Sequence, residues 1–221
     1  MDKKVEVMTE AETQSPSQDM LLAGLARLMG GENAYHITAT GEVVMCCALG
    51  DLPDVLKSLK DDEDLCFTQL TDVTAVDYPE RELRFEMVYQ LLSVKKNRRM
   101  RLVVAVGEAD IVPSVVPLYA SANWAEREVW DMFGIFFSGH PDMRRLLTDY
   151  GFEGHPLRKD FPLTGYVEVR YSETERRVVY EPTKLVQEFR DFDFLSPWEG
   201  MQLDMPAAPA EDDETEEKAE G

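Results

Sequence analysis

The chain is 221 residues long with a hydrophobic fraction of 44%, enough for a domain of ordinary size with a real core plus extra segments. Its 43 acidic against 23 basic residues leave a formal charge of -20, which argues against nucleic acid and anionic lipid as partners and demands a dedicated basic pocket for any phosphate-rich substrate. No such pocket stands out, no apolar run is long enough for a membrane span, and the opening MDKKVEVMTEAETQSPSQ lacks the apolar core of a signal peptide, so the expected compartment is the cytoplasm or its equivalent.

Residues 1–17 are polar and aperiodic and read as a loose tail. A short helix follows, with Asp19 as its cap, Leu21, Leu22, Leu25, Leu28 and Met29 on one stripe, and Gly30-Gly31 as its stop. GEVVMCCALG reads as a buried strand; its adjacent Cys46 and Cys47 point to opposite faces, and with Cys66 they read as reduced packing cysteines. Asp51 and Pro53 open a second helix with Leu52, Val55, Leu56 and Leu59 inward. Three strands come next, CFTQLTDVTAV, LRFEMVYQLLSV and MRLVVAVG, the last two joined by KKNRR. In the middle strand Phe85, Met87, Tyr89 and Leu91 share one side.

A third helix is signalled by Leu118, Ala122, Ala125, Val129 and Met132, with Ser114 as cap, Pro117 in the first turn and Gly134 as terminator. This order gives an α+β fold, a two-layer domain of helices on a mainly antiparallel sheet, over residues 18–137. Beyond it, Pro141, Pro156, Pro162, Pro182 and Pro197 recur with glycines between them, so residues 138–200 read as a long irregular C-terminal arm. Within that arm VEVRY and RRVVYEP can pair as a hairpin, and KLVQEFRDFDFLSPWEG carries aromatics with little of its own to pack on. Residues 201–221 hold eight acids against Lys218 and read as a solvated acidic tail.

Ser138, His140 and Asp142 alternate, which raises a hydrolytic triad, but that spacing seldom gives triad geometry and no oxyanion hole is visible. His140 and His155 could bind metal with Asp142 or Glu153, yet none is spaced as on a metal-binding helix. GFEG lacks the lysine and hydroxyl of a phosphate loop. Glu126, Arg127, Glu128 and Asp131 crowd one helix segment beside Trp124 and Trp130, and tryptophan with arginine is the pattern of interface anchors. The window 139–170 balances five acids with five Lys or Arg in an otherwise acidic chain, which suits a buried contact.

EREVWDMFGIFFSGHPDMRRLLTDYGFEGHPLRKDFPLTGYVEVRY closely resembles the 30 kDa subunit family of respiratory complex I, the NADH-quinone oxidoreductase of bacteria and mitochondria. The resemblance runs from about Asp19 to Gly200 and is concentrated in Glu126-Arg127-Glu128, Asp131-Met132, His140 and Arg144-Arg145-Leu146-Leu147, with RVVYEP, QEFRDFDF and SPWEG as later blocks. It implies a peripheral-arm subunit on the cytoplasmic face of the bacterial inner membrane, or the matrix face of the mitochondrial one, without a span of its own. Its partners would be other complex I subunits, chiefly the one that resembles a hydrogenase large subunit and the neighbouring iron-sulfur subunits. FMN, iron-sulfur clusters and quinone would all sit in partners, leaving this chain without cofactor, metal or catalytic residues inside a proton-translocating enzyme.

On that reading the partner interface comprises Trp124, Glu126, Arg127, Glu128, Trp130, Asp131, His140, Arg144, Arg145, Tyr150, His155, Arg158, Lys159, Asp160, Phe161 and Trp198. Arg145 and Arg158 are expected to pair with carboxylates of the partner. Similar subunits accompany membrane-bound hydrogenases and quinone reductases that lack an NADH module, which is the alternative assembly. A free-standing hydrolase using His140 is the alternative of a different class.

Overall fold

The computed structural model describes residues 16–29, 35–185 and 187. They fall into two compact units, one ending at Glu168 and one beginning at Val169. Trp198, the QEFRDFDF and SPWEG blocks, the Gly30-Gly31 stop and the acidic tail lie outside the described residues.

In the first unit α1 (Pro16–Met29) starts ahead of the expected Asp19 cap and buries Leu21 and Leu25. Strands β1 (Tyr35–Ile37), β2 (Val43–Cys46), β3 (Gln69–Asp77), β4 (Phe85–Ser93) and β5 (Arg98–Val106) make a five-stranded sheet in the order β1-β2-β5-β4-β3. Its pairs are antiparallel except for β2 with β5. The crossover between β2 and β3 carries α2 (Leu52–Asp61), whose Leu52, Leu56 and Leu59 are buried. A small parallel pair, β6 (Ile111–Pro113) with β7 (Phe136–Ser138), brackets α3 (Ala122–Phe133). The α+β two-layer class expected from the sequence is the fold observed. Strand β8 (Val167–Ser172), which begins two residues before the second unit, and β9 (Arg177–Pro182) form a two-stranded sheet.

Cross-strand register shows why one face of the large sheet is the core. Phe85 faces Val106, Met87 faces Val104, Tyr89 faces Leu102 and Leu91 faces Met100, and all eight side chains are buried. On the other side Tyr89 faces Val73 and Leu91 faces Leu70. Leu70 and Val73 have opposite parity, so strict alternation would expose one of them; an irregularity between Leu70 and Asp72 lets both point inward. The KKNRR turn is shorter than its sequence suggests, since Arg98 already pairs with Ser93 and Asn97 takes the left-handed conformation at φ 51°.

α3 begins at Ala122 rather than near Ser114. Residues 115–121 make turns instead, with Tyr119 donating its hydroxyl to the Phe67 carbonyl at 2.7 Å and Ser121 donating to the Leu70 carbonyl at 2.9 Å. These tertiary bonds hold the segment against the sheet and displace the helix start by about two turns. Gly134 ends the helix as expected, at φ 79°, and its amide donates to the Trp130 carbonyl.

Candidate partner-docking surface

α3 presents an apolar stripe to the sheet, and two carboxylates lie buried on it where solvated charges would be expected. Glu126 belongs to the run Ala122, Glu126, Val129, Phe133, the inward face of the helix, and Asp131 is equally enclosed. Both side chains, expected at a partner interface, are enclosed within this chain.

Glu126 accepts the Ser114 hydroxyl at 2.6 Å and the Val115 amide at 2.7 Å, which pins the chain after β6 to the helix. Burial raises its pKa, and the two hydrogen bonds only partly offset that. The enclosed His140 ring lies beside it, Nε2 being 4.0 Å from Oε2. His140 Nδ1 accepts the Asp142 amide, so Nε2 carries the proton and donates to the Asn123 carbonyl at 3.0 Å.

Asp131 collects the amides of Leu146, Leu147 and Thr148 on Oδ2, at 3.0, 2.7 and 2.9 Å, while Oδ1 takes the Thr148 hydroxyl and the Arg145 guanidinium. Burial by itself would push its pKa up; the bonds from Thr148, Leu147 and Leu146 outweigh that and hold it at about 2. Arg127 reinforces the attachment by donating to the Arg144 and Arg145 carbonyls.

The arm also closes the C-terminus of α3. A helix end leaves its last carbonyls unpaired; here Asp131, Met132 and Phe133 are served by His155 Nδ1 at 3.0 Å, the Leu157 amide at 3.1 Å and Arg158 Nε at 2.5 Å. Burial lowers the pKa of His155, and the carbonyl it meets fixes a proton on Nδ1. Gly134 permits the approach, because a Cβ there would stand 2.6 Å from His155 Nε2 and 2.7 Å from Arg158 Nη2.

A third anchor lies at the sheet end. Asp77 accepts Arg84 through both oxygens, at 2.7 and 2.9 Å, and the Lys159 amide at 2.8 Å. The Arg84 bonds, with help from Lys159, hold the Asp77 carboxyl below its usual range despite burial. Asp160 meets Arg84 at 3.0 Å, and Arg158 reaches Glu108 at 2.9 Å.

Residues 139–166, expected as the start of a partner-held arm, therefore pack within the first unit by their own polar contacts. The carboxylates that Arg145 and Arg158 pair with are Asp131 and Glu108 of this chain, which corrects the expectation of partner carboxylates. Arg144 forks onto Asp142 at the surface.

Between the anchors the arm displays aromatic groups. The Arg145 guanidinium lies 5.7 Å from the Trp130 ring and 5.9 Å from that of Phe152; Phe152 meets Phe161 at 5.9 Å, and Phe161 meets Tyr166 edge-on at 5.6 Å. Trp124 at 68% and Tyr150 at 97% exposure project from the same framework, and Phe136, Leu147, Leu157, Leu163 and Tyr166 are also exposed. Glu128 and Lys159 are exposed as well.

The hydrolytic and metal readings find no support in the geometry. Ser138 Oγ lies 3.5 Å from the Val112 carbonyl, while His140 bonds to Asn123 and Asp142, so no relay connects the three. His155 and His140 serve separate carbonyls, and among the described residues no three potential ligands gather for a metal. Sequence reading missed Asp77, Arg84 and Thr148, and gave Ser114 a capping role in place of its bond to Glu126. For Asp77 a signal existed: it follows Val73 and Ala75 at the inward parity of β3, where an acid requires a partner.

The profile of the family described as the respiratory-chain NADH dehydrogenase 30 kDa subunit matches residues 45–167, more than half of the chain. The chain belongs to this family. The NADH-quinone oxidoreductase C subunits of Brucella ovis and Brucella abortus (strain 2308) are each 60% identical over 168 residues, covering 76% of this chain and 83% of the relative. A solved trypsin-resistant fragment of Nqo5 is 31% identical, with a TM-score of 0.49 over 57% of this chain and 98% of the fragment. A chain of the membrane-bound sulfane sulfur reductase, an archaeal respiratory membrane complex, shares the fold at 24% identity and a TM-score of 0.56, over 66% of this chain and 86% of that one. The 30 kDa subunit family thus accounts for this chain as a subunit of NADH-quinone oxidoreductase.

Proposed function

We propose that this subunit is an architectural member of the peripheral arm of a proton-pumping NADH-quinone oxidoreductase, docked on the hydrogenase-large-subunit-like partner beside the iron-sulfur subunits. The observation that carries the reading is the exposure of Trp124 on α3 and of Tyr150 on the loop that Asp131 and Arg127 tie to that helix. Fixed exposed aromatics lose little entropy on binding and are the residue type that dominates interface energetics. The buried acids of the site hold backbone, which is consistent with chemistry residing in partners that carry FMN, clusters and quinone. No helix among the described residues is long and apolar enough to cross a membrane, which agrees with peripheral attachment at the cytoplasmic or matrix face.

The experiment is affinity purification of the tagged chain, native and as Trp124→Ala with Tyr150→Ser, from gently solubilised native membranes. Recovery of the flavin- and cluster-bearing subunits with NADH-quinone activity by the native chain, and their loss from the double variant, is expected. Undiminished recovery by the variant would refute this surface, and recovery of a nickel hydrogenase without NADH activity would refute the assembly.

A further inference from the structure

In a chain of net charge -20, the turn between β4 and β5 gathers Lys95, Lys96, Arg98 and Arg99. Lys96 and Arg98 line a cavity of about 240 Å³ in the first unit, whose helix wall is Met20, Ala23 and Gly24 of α1. Lys96 is half-buried and Arg98 is only 9% exposed. No carboxylate among the described residues pairs with Lys96. Arg27 and Asp64 complete the lining and pair with each other at 3.1 Å, while Arg27 also holds Asp62. The acids at this edge are therefore answered locally, and the charge left on the lining is positive. Ser93 lies opposite Arg98 across the ladder and points to the same side; its buried hydroxyl has no hydrogen-bond partner among the described residues. On the helix side a Cβ added to Gly24 would stand 2.7 Å from Leu65 Cδ2, so α1 is pressed close to the chain after α2 beside the cavity.

We infer that this cavity is a binding site for a small organic carboxylate, with the anionic head on Lys96 and Arg98 and an apolar body along Met20, Ala23 and Gly24. The inference is independent of the docking reading above. Charge and shape select the occupant. A half-buried ammonium beside a buried guanidinium favours an anion, because desolvated cations gain most from a charge-assisted hydrogen bond. Phosphate suits the lining less well: it offers oxygens on every side, whereas the helix wall has no donor side chain and Arg27 is engaged by Asp62 and Asp64. A carboxylate concentrates its two acceptors at one end and leaves the rest of the molecule for the apolar wall. At roughly 30 Å³ per water in the liquid, the cavity equals about eight waters, room for an anion of about that many non-hydrogen atoms. Such a ligand touches α1 and the sheet at once, so its binding fastens the helix to the β4–β5 turn and stabilises the fold by linkage.

Titration of the full chain with hexanoate, followed by NMR of methyl-labelled methionine and alanine, tests this at Met20 and Ala23. The expected result is saturable shifts of both methyl groups with a Kd of about 1 mM or tighter, and a melting temperature that rises with hexanoate concentration. Lys96→Ala should weaken binding about tenfold or more, and Ala23→Phe, whose ring fills the cavity, should abolish it. Lys95→Ala, outside the lining, should bind as the native chain does, and melts without hexanoate confirm that each variant is folded. The native chain also decides the matter alone, through hexanol, hexylamine and inorganic phosphate as competing probes. No saturation by about 20 mM hexanoate overturns the site, since binding that weak is no better than non-specific contact. Equal binding of hexanol or hexylamine would mean an apolar hole without charge selection. Equal binding of phosphate would mean a bare cluster of cations, and an equal loss in Lys95→Ala would mean attraction by the whole turn. Each of these overturns the inference.

Discussion

Asp131 accepts both the hydroxyl and the amide of Thr148, at 2.7 and 2.9 Å, and so ties the last turn of α3 to a loop seventeen residues onward. Asparagine in its place offers one acceptor oxygen to a site built from donors and turns its own amide toward them. Asp131→Asn is expected to cost about 3 kcal/mol of stability through buried amides left unpaired, measured by denaturant unfolding of the isolated chain. A loss below about 0.5 kcal/mol, the range of ordinary surface substitutions, would contradict it.

The pH dependence follows from the same contacts. Asp131 titrates lower folded, at about 2, than unfolded, at 3.8, so its contribution is complete above the unfolded value and fades as pH falls toward the folded one. Stability should decline by roughly 2 kcal/mol through that interval on this account, and Asp131→Asn should lack that part of the decline. Acid unfolding curves that coincide in shape for both proteins would exclude it.

Glu126 should respond in the opposite sense. Its folded pKa is raised by burial, so acidification through that value adds stability, and the neutral side chain fits the site. Glu126→Gln keeps an acceptor for the Val115 amide and lets the Ser114 hydroxyl rotate; it is expected to change stability by less than about 1 kcal/mol and to remove the gain on acidification. Glu126→Ala, which orphans the Val115 amide and opens a cavity, should cost about 3 kcal/mol. Thermal melts across mildly acid pH distinguish the two, and a glutamine variant as unstable as alanine would show that the ionised form is required.

Gly134→Ala meets two obstacles at once, the left-handed backbone at φ 79° and contacts of 2.6 to 2.7 Å with His155 and Arg158. The backbone term alone is about 1–2 kcal/mol, and moving the two side chains uncaps α3. Limited proteolysis should find residues 155–161 cut sooner in this variant than in the native chain. Equal cleavage rates would mean that the cap tolerates the methyl group.

Arg145→Glu separates scaffold from surface. Because Arg145 reaches Asp131, Thr148 and Gly154 within the chain, the substitution should lower the melting temperature of the free protein by several degrees, whereas Tyr150→Ser should leave it within about one degree. If Arg145→Glu melts normally and fails only in assembly, its partner lies in another subunit after all.

Much of the fold was legible because the inward residues of β4 and β5 recur at every second position over nine residues each, and Gly134 terminates α3 as its sequence context suggests. What could not be read depends on long-range contact. The three-residue strands β1, β6 and β7 are too short to show a period, and the start of α3 was set by bonds from Tyr119 and Ser121 to distant carbonyls. At the site, Trp124 and Tyr150, expected at a partner interface, are exposed. Glu126 and Asp131 were not separable from solvated helix charges, because their donors come from Ser114 and Thr148, well away in sequence.

The irregularity between Leu70 and Asp72 acts as a phase shift in β3, and it makes the strand's tolerance of length change depend on position. Deleting Thr71 would remove the extra residue and leave Leu70 and Val73 on the same side of a regular ladder, whereas deleting Thr74 would set Ala75 and Asp77 at the opposite parity to Val73. In the second case Arg84 and the Lys159 amide lose their shared carboxylate, so a one-codon deletion in β3 would release a segment more than eighty residues downstream.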